Sequence, residues 1–142
     1  PHPGRLRAVP GRLQEAAVFP DEIGRYNYAV DVHAARPEAA AYRKFEEEFR
    51  TLRYGKGESY GIPYRCLVPQ KLANVLVAGR CISSDHLMHG SVRVMPACFL
   101  TGQAAGTAAA LAVARKVEPR AVPVRELQSR LKALGAFLPN AT

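Results

Sequence analysis

The chain has few cysteines, and their spacing limits the chemistry they can support. Cys66, Cys81 and Cys98 are the only three, they lie far apart, and no C-x-x-C pair is present. This spacing argues against a zinc site and a thioredoxin-like motif, and the odd number argues against a disulfide framework. We therefore expect three buried apolar thiols in a reducing compartment, which favours a cytoplasmic protein.

An apolar run is missing from residues 1–7, so no signal peptide is predicted there. Because the sequence begins at Pro1, we expect a fragment or one piece of a larger assembly. With 142 residues, of which 48% are hydrophobic, the chain is long enough for one domain with a core and too apolar for a disordered tail.

Acidic side chains are outnumbered, with 12 Asp and Glu against 20 Lys and Arg, giving a formal charge of +8. The arginines are scattered from Arg5 to Arg130 without a dense cluster. This distribution favours a solvated surface with a partner interface. A basic nucleic-acid module is the alternative, but no nucleic-acid-binding motif supports it, so no nucleic acid partner is expected.

Hydrophobic periodicity predicts a mixed α/β chain. After an irregular start at 1–18, the first predicted elements are a half-buried strand at 26–33, a helix from Pro37 to about residue 52 and a short extended edge segment at 61–69. They are followed by a buried strand at 74–79 and a polar loop at 80–95. The last two elements are a long helix from Pro96 to about Lys116 and an amphipathic helix at 123–134 that stops at Gly135.

The long helix is almost entirely apolar or small. One interpretation is a transmembrane span, since Gly102-x-x-x-Gly106 matches a membrane dimerisation motif. Its Ala- and Gly-rich composition instead favours a helix buried on several sides in a soluble core, with no membrane partner. The small stripe at Gly102, Ala105, Gly106 and Ala109 then lets the backbone approach a sheet or a flat ligand closely.

Several blocks of sequence appear in a family-specific order. The segment from about 60 to 138 closely resembles the C-terminal end of the FAD-dependent oxidoreductase family, within the glutathione-reductase-like flavoproteins that have two dinucleotide-binding domains. A weaker similarity extends over 19–33. The blocks that carry the resemblance are IPYRCL at 62–67, VAGR at 77–80, SVRVMP at 91–96 and GQAAG at 102–106.

The resemblance implies an α/β fold that forms the C-terminal part of an FAD-binding Rossmann-like domain. In this interpretation residues 61–138 belong to the FAD-binding domain, 19–60 are part of a substrate or cap region, and 1–18 are an irregular N-terminal segment. The G-x-G-x-x-G fingerprint that holds the ADP half of FAD in this family is absent from the chain.

Cofactor-binding residues follow from the same resemblance. Gly79 and Arg80 match the position whose backbone meets the ribityl or pyrophosphate part of FAD, although many relatives have an acidic residue where Arg80 stands. Val94 and Met95 match the helix start at the pyrimidine edge of the flavin, and Gly102 lies on the helix itself. We expect this helix to begin within two residues of Pro96 and to open toward a cleft shared with Gly79 and Arg93.

Catalytic residues are less defined. Arg93 could hold a substrate anion or the flavin O2 edge, or it could form an ordinary salt bridge. His89 could donate a proton near neutral pH, or it could be a plain polar residue. No metal site is expected, because no set of ligands has the spacing for one.

The predicted function is the C-terminal portion of an FAD-dependent oxidoreductase, which contributes the flavin-facing strand and helix and is inactive in isolation. Its expected partners are an FAD-binding N-terminal half, on the same or a separate chain, and a small-molecule substrate. The alternative is a non-catalytic fragment or subunit that docks onto a separate FAD-binding chain.

Overall fold

The computed structural model describes residues 18–31 and 54–141. Within these ranges two strands and three α-helices are present. They are β1 (Glu22–Tyr26), β2 (Tyr60–Pro63), α1 (His86–Val92), α2 (Met95–Arg115) and α3 (Val124–Ala133), with single 3-10 turns at Tyr64–Leu67, Gly79–Cys81 and Pro119–Ala121. This mixture of helices and a small sheet is consistent with the predicted α/β class.

The two strands form an antiparallel pair in which Tyr26 lies opposite Tyr60 and Arg25 opposite Gly61. The register shifts between Glu22 and Gly24, which places an irregularity at the start of β1. Gly24 lies directly beneath Leu100 of α2, since a Cβ there would be 2.5 Å from Leu100 Cδ1. The small sheet is therefore packed closely against the long helix.

The predicted strand at 26–33 is wrong in its bounds, because β1 ends at Tyr26, where that strand was expected to begin. Its partner β2 has four residues, and Tyr26 already pairs with the first of them. The chain then turns to α1, where the Tyr28 carbonyl accepts a hydrogen bond from Ser91 Oγ. Residues 32–33 and the predicted helix at 37–52 lie outside the described residues.

The extended segment predicted at 61–69 is confirmed only over its first residues. Strand β2 ends at Pro63, and the chain continues as the 3-10 turn Tyr64–Leu67. Both strands are edge strands within the described residues, as expected from Pro63.

The buried strand predicted at 74–79 is not present. Asn74 and Val75 are exposed, and the backbone donates two hydrogen bonds to the core, from Val77 N to the Leu67 carbonyl and from Gly79 N to Thr101 Oγ1, neither of which belongs to a sheet ladder. A fully buried strand needs a neighbour on each side, and the described sheet contains only β1 and β2. The flavin-facing strand of the sequence interpretation is therefore an extended segment without sheet partners among the described residues.

The loop predicted at 80–95 contains a helix, α1. Asp85 caps it by accepting a hydrogen bond from Met88 N at 2.8 Å, which satisfies one of the unpaired donors of the first turn. Met88, Ser91 and Val92 are buried against the core. The predicted polar loop is thus only partly correct.

Helix α2 confirms the predicted start, because Pro96 is its second residue. It ends at Arg115, and the capping residue that follows, Lys116, adopts the left-handed conformation with φ 53°. Its buried side is a stripe of small and aliphatic residues: Ala97, Thr101, Ala104, Ala108, Leu111 and Ala112. Helix α3 is confirmed as well, with Leu127 and Leu131 fully buried and Gly135, at φ 89°, just after its end.

One property of α2 bears on the transmembrane interpretation. By length and composition the helix could cross a membrane, and core helices of soluble proteins have the same property. Its buried stripe packs against α3, β1 and the 3-10 turn at Gly79–Cys81. The opposite side is exposed.

The cysteines differ in burial. Cys66 is buried, Cys98 is half-buried and Cys81 is exposed, and no disulfide joins any two of them. The prediction of three buried thiols is therefore wrong for Cys81, which lies at the end of the exposed 3-10 turn rather than in the core.

Substitution at Gly61 should destabilise the chain, whereas the same change at Gly102 should not. A Cβ at Gly61 would be 2.1 Å from Glu22 Oε1, and that carboxylate is buried, so Gly61→Ala should lower the free energy of unfolding by about 1–3 kcal/mol. Gly102 has no atom within 4 Å of its would-be Cβ, and Gly102→Ala in the helix interior should raise it by about 0.5–1 kcal/mol. Urea denaturation measures both, and equal effects would contradict the packing around Gly61.

Candidate functional site

An open cleft of about 480 Å³ lies at the start of α2. Its volume is within the range of small-molecule and cofactor sites. The residues that line it come from the end of β1, the Gly79–Cys81 turn and the α1–α2 junction: Tyr26, Tyr28, Asp31, Arg80, Arg93, Val94, Met95 and Pro96. Segments that are distant in the sequence thus meet at one helix terminus.

The start of α2, of which Val94, Met95 and Pro96 line this cleft, has backbone donors without intrahelical partners. Val94 occupies the capping position in an extended conformation, and its side chain makes no capping hydrogen bond. Pro96 has no N–H, so the first-turn donors without intrahelical partners are the N–H groups of Met95 and Ala97. The same terminus carries the positive end of the dipole of a 21-residue helix.

The Gly79–Cys81 turn places a cation at the cleft. Gly79 has φ 63°, which favours glycine, and its N–H donates to Thr101 Oγ1 of α2 at 2.9 Å. This contact fixes the turn against the helix and brings Arg80 to the cleft wall. Arg80 is exposed and makes no ion pair with the part of the chain that the structure describes.

Two tyrosines form a further part of the cleft wall. The rings of Tyr26 and Tyr28 lie with their centroids 6.4 Å apart and their planes inclined by 23°. Behind them, Ser91 Oγ donates to the Tyr28 carbonyl at 2.6 Å and shares a hydrogen bond of 2.7 Å with the Tyr60 hydroxyl. Because Ser91 and Tyr60 are fully buried, the backbone of this wall is held by the core.

Arg93 is held by Asp31 at the edge of the same cleft. One guanidinium nitrogen, Nη2, donates to the Asp31 carbonyl at 3.0 Å and to its carboxylate at 3.2 Å. The ordinary salt bridge that the sequence left open for Arg93 is thus present. It does not remove Arg93 from the cleft, because the side chain still lines it.

The wall is more apolar than an aqueous surface. Burial raises the pKa of Tyr26 above its usual value of 10.0, with the neighbouring Tyr28 and Cys98 adding to the rise. Tyr26 is therefore a neutral hydroxyl at physiological pH and can donate a hydrogen bond.

The structure brings four of the residues predicted from sequence into one cleft: Arg80, Arg93, Val94 and Met95. Gly79 lies behind this wall, joined to Thr101. The expected cleft at the helix start is therefore present, with Arg80 rather than Gly79 at its surface. The roles of these residues in cofactor binding and catalysis stay predictions.

Two predicted residues lie elsewhere. His89 does not line the cleft, and its Nδ1 is 3.5 Å from Ser84 Oγ. Gly102 and Gly106 are exposed, with open space around each would-be Cβ. The expectation that this small stripe packs closely is therefore wrong for the described residues, because α2 buries the side marked by Ala104 and Ala108 instead.

Tyr26, Tyr28 and Asp31 were missed as site residues. The alternating pattern of 26–33 places both tyrosines on one face, which was interpreted only as the buried side of a strand. Two aromatic residues that close together, followed by a carboxylate, were the available signal. Among the described residues no group of three metal-binding side chains is present.

The site geometry can be set beside known proteins. No curated protein and no solved structure matches the chain. Residues 7–131 match the model of the family described as FAD dependent oxidoreductase. That match covers most of the chain, including every described residue that lines the cleft. The chain therefore belongs to the FAD dependent oxidoreductase family.

Proposed function

We propose that this chain is the C-terminal portion of an FAD-dependent oxidoreductase and forms the flavin-facing side of its cofactor site. The observation that carries the proposal is the uncapped start of α2, which opens into a cleft lined by Arg80, Val94 and Met95. In this assignment the extended segment before Gly79, the Gly79–Cys81 turn and α2 belong to a glutathione-reductase-like, Rossmann-like FAD-binding domain.

The groups at this cleft suit a flavin. Its pyrimidine edge is rich in oxygen and nitrogen acceptors and gains negative charge on reduction, and the N–H groups of Met95 and Ala97 are donors without intrahelical partners. Arg80 adds a positive charge on the turn. When bound, FAD would supply the hydride chemistry, while these residues would bind it, orient it and favour its anionic form.

The division of the chain follows from the same assignment. Residues 61–138 are proposed as the C-terminal part of the FAD-binding domain and 19–60 as part of a substrate or cap region. In support, α2 packs on both α3 and the Gly79–Cys81 turn, so these elements form one contiguous layer. The tyrosine wall, which comes from 19–60, lines the same cleft as the helix start, as a substrate region would.

The exposed side of α2 supports a partner that carries the rest of the FAD site. Residues 96–114 contain no charged side chain, and Met95, Phe99 and Val113 are 65%, 70% and 80% exposed. The outer side of α3, in contrast, carries Arg125, Arg130 and Lys132. A continuous apolar stripe beginning at the cleft is suited to burial against the FAD-binding half.

The alternative, a non-catalytic subunit that docks onto a separate FAD-binding chain, would use this same stripe. The polar cleft favours the enzyme, because docking alone does not require Arg80 or uncapped backbone donors at the edge of the interface. In the enzyme, the remaining donors of Arg93 would hold a substrate oxygen.

A titration with lumiflavin, which has the flavin ring and no ADP, tests the proposal in this chain. We expect it to shift the backbone NMR signals of Arg80, Met95 and Ala97, with FAD binding no more than a few-fold more tightly because the chain lacks the G-x-G-x-x-G clamp. Arg80→Gln should weaken binding of flavin mononucleotide about three- to tenfold, since a charge-assisted contact is lost.

Arg125→Gln is the matched control, because Arg125 is an exposed arginine on α3 that does not line the cleft. It should leave the affinities for lumiflavin and for flavin mononucleotide unchanged. Lumiflavin shifts confined to other parts of the molecule would refute the placement of the flavin. A purified chain that retains stoichiometric FAD would refute the need for a separate ADP clamp.

A further inference from the structure

The tyrosine side of the cleft has the properties of a substrate site. We infer that it binds a flat, uncharged aromatic compound that presents a carbonyl or hydroxyl oxygen to Arg93. This inference rests on the proposed function, because it assigns the helix side of the same cleft to the flavin and the side of Tyr26 and Tyr28 to the substrate.

The charge of Arg93 is already compensated. Its Nη2 donates to both the carbonyl and the carboxylate of Asp31, at 3.0 and 3.2 Å. A guanidinium has five N–H donors, so Nε and Nη1 remain to bind a ligand oxygen. Paired with Asp31 in this way, the side chain offers directed hydrogen bonds without an uncompensated positive charge, which favours a neutral acceptor over a carboxylate.

The wall beside Arg93 favours a planar molecule. Tyr28 is 43% exposed and lines the cleft with Tyr26, their planes 23° from parallel. The Tyr28 carbonyl is fixed by buried Ser91, so this wall is preorganised. An aromatic ring packed against these rings gains more binding free energy than the burial of its surface area alone would give.

Anions are directed to Arg80 rather than to Arg93. Arg80 makes no ion pair within the described ranges, and it lines the same cleft as the uncapped start of α2. An anionic ligand that enters the cleft therefore gains more near Arg80 than near the Arg93–Asp31 pair. This separation of charge distinguishes the substrate side from the cofactor side.

Three probes of similar size test the preference for an aromatic ring and the preference for an uncharged acceptor separately. They are benzamide, benzoate and cyclohexanecarboxamide, and each is titrated into the chain and followed residue by residue by NMR. We expect benzamide to shift the signals of Tyr28 and Arg93. Cyclohexanecarboxamide should bind there about two- to tenfold more weakly, because its saturated ring cannot stack on the tyrosines as an aromatic ring does. Benzoate should shift Arg80 instead. Benzoate bound at Arg93, or equal binding of the two amides, would overturn the inference.

Asp31→Asn provides a charge switch. Removing the carboxylate leaves the charge of Arg93 uncompensated and ends the repulsion between Asp31 and a bound carboxylate, so benzoate should now shift Arg93 and bind there about fivefold more tightly than in the parent. Glu126→Gln, the same change on α3 at a residue that does not line the cleft, should alter neither probe. An unchanged benzoate pattern in folded Asp31→Asn would overturn the inference.

Tyr28→Ala is the second variant, in case Asp31→Asn does not fold. It should weaken benzamide about two- to tenfold and leave lumiflavin at the helix start unaffected. In the parent chain, equal binding of benzamide and cyclohexanecarboxamide with the lumiflavin shifts intact overturns only the substrate class. Benzamide binding as expected with no lumiflavin shifts instead overturns the flavin placement.

Discussion

Replacing Arg25 with methionine should lower the free energy of unfolding by about 3–5 kcal/mol, because it leaves a buried carboxylate without its charged partner. Arg25 Nη1 lies 2.8 Å from Glu22 Oε1, and the two side chains are 5% and 1% exposed. The second oxygen, Glu22 Oε2, is buried and has no hydrogen-bond partner. Arg25 Nε also donates to Ser59 Oγ at 2.9 Å, and this contact between the two strands would be lost too.

Arg115→Met on α2 is the matched control. Arg115 Nη2 lies 2.8 Å from Glu126 Oε2, the same distance, but the arginine is 58% exposed. An exposed pair of this kind contributes less than about 1 kcal/mol. Urea denaturation of both variants gives the comparison, and similar losses would mean that burial of the Glu22 pair does not determine its contribution. A loss of 3–5 kcal/mol is a large part of the stability of a typical domain.

The two helices that the sequence predicts correctly, α2 and α3, depend on local sequence signals. Pro96 marks the start of α2, and the absence of charge over 96–114 continues it. In α3 the apolar spacing from Leu127 to Leu131 defines the buried side, and Gly135 follows its end. Neither boundary depends on a distant segment, so the sequence alone could predict them.

The errors arise where structure depends on partners. The run NVLVAG at 74–79 is apolar enough for a buried strand, but the described sheet offers it no neighbour to pair with. Helix α1 was missed because its seven residues are too few to show a clear apolar period. The Asp85 cap was visible in the sequence, and only the buried positions Met88 and Val92 explain why the helix forms.

The candidate site divides in the same way. Arg80, Val94 and Met95 were predicted through family resemblance, and the structure brings them to one cleft with Arg93. The paired tyrosines and the carboxylate after them are visible in the sequence, but the sequence does not place Tyr28 and Asp31 at this cleft. They reach it through contacts with α1 and the residue after it: the Tyr28 carbonyl with Ser91, and Asp31 with Arg93. These contacts join residues that are 63 and 62 positions apart in the sequence, and no local pattern encodes them.

Alkaline conditions should unfold the chain through its buried tyrosines. Burial raises the pKa of Tyr64 from 10.0 to about 12, and it raises those of Tyr54 and Tyr60 further. A hydroxyl whose pKa is higher in the folded state favours folding while it is protonated. This stability is fully present below about pH 10, and it is lost as the pH rises through the folded pKa values.

For Tyr64 alone the loss at pH 12 is about 2 kcal/mol, and Tyr54 and Tyr60 add to it. Because the chain has no tryptophan, tyrosinate absorbance and circular dichroism can be followed together without interference. We expect the part of the absorbance change that comes from Tyr54, Tyr60 and Tyr64 to coincide with the loss of helix, above pH 10, because these buried hydroxyls ionise only on unfolding. Ionisation of all six tyrosines before any loss of helix would contradict this mechanism.

Tyr64→Phe assigns the effect, because it has opposite consequences at the two ends of the pH range. At neutral pH it should lower the free energy of unfolding by about 1–3 kcal/mol, since the Tyr64 hydroxyl donates to the Pro119 carbonyl at 2.7 Å and that buried acceptor loses its partner. Above pH 10 the variant should lose stability less steeply than the parent, since one ionisable buried hydroxyl is gone. Tyr28→Phe, at an exposed tyrosine, should leave the slope unchanged. Parallel pH profiles for the parent and Tyr64→Phe would show that burial of Tyr64 does not drive the alkaline transition.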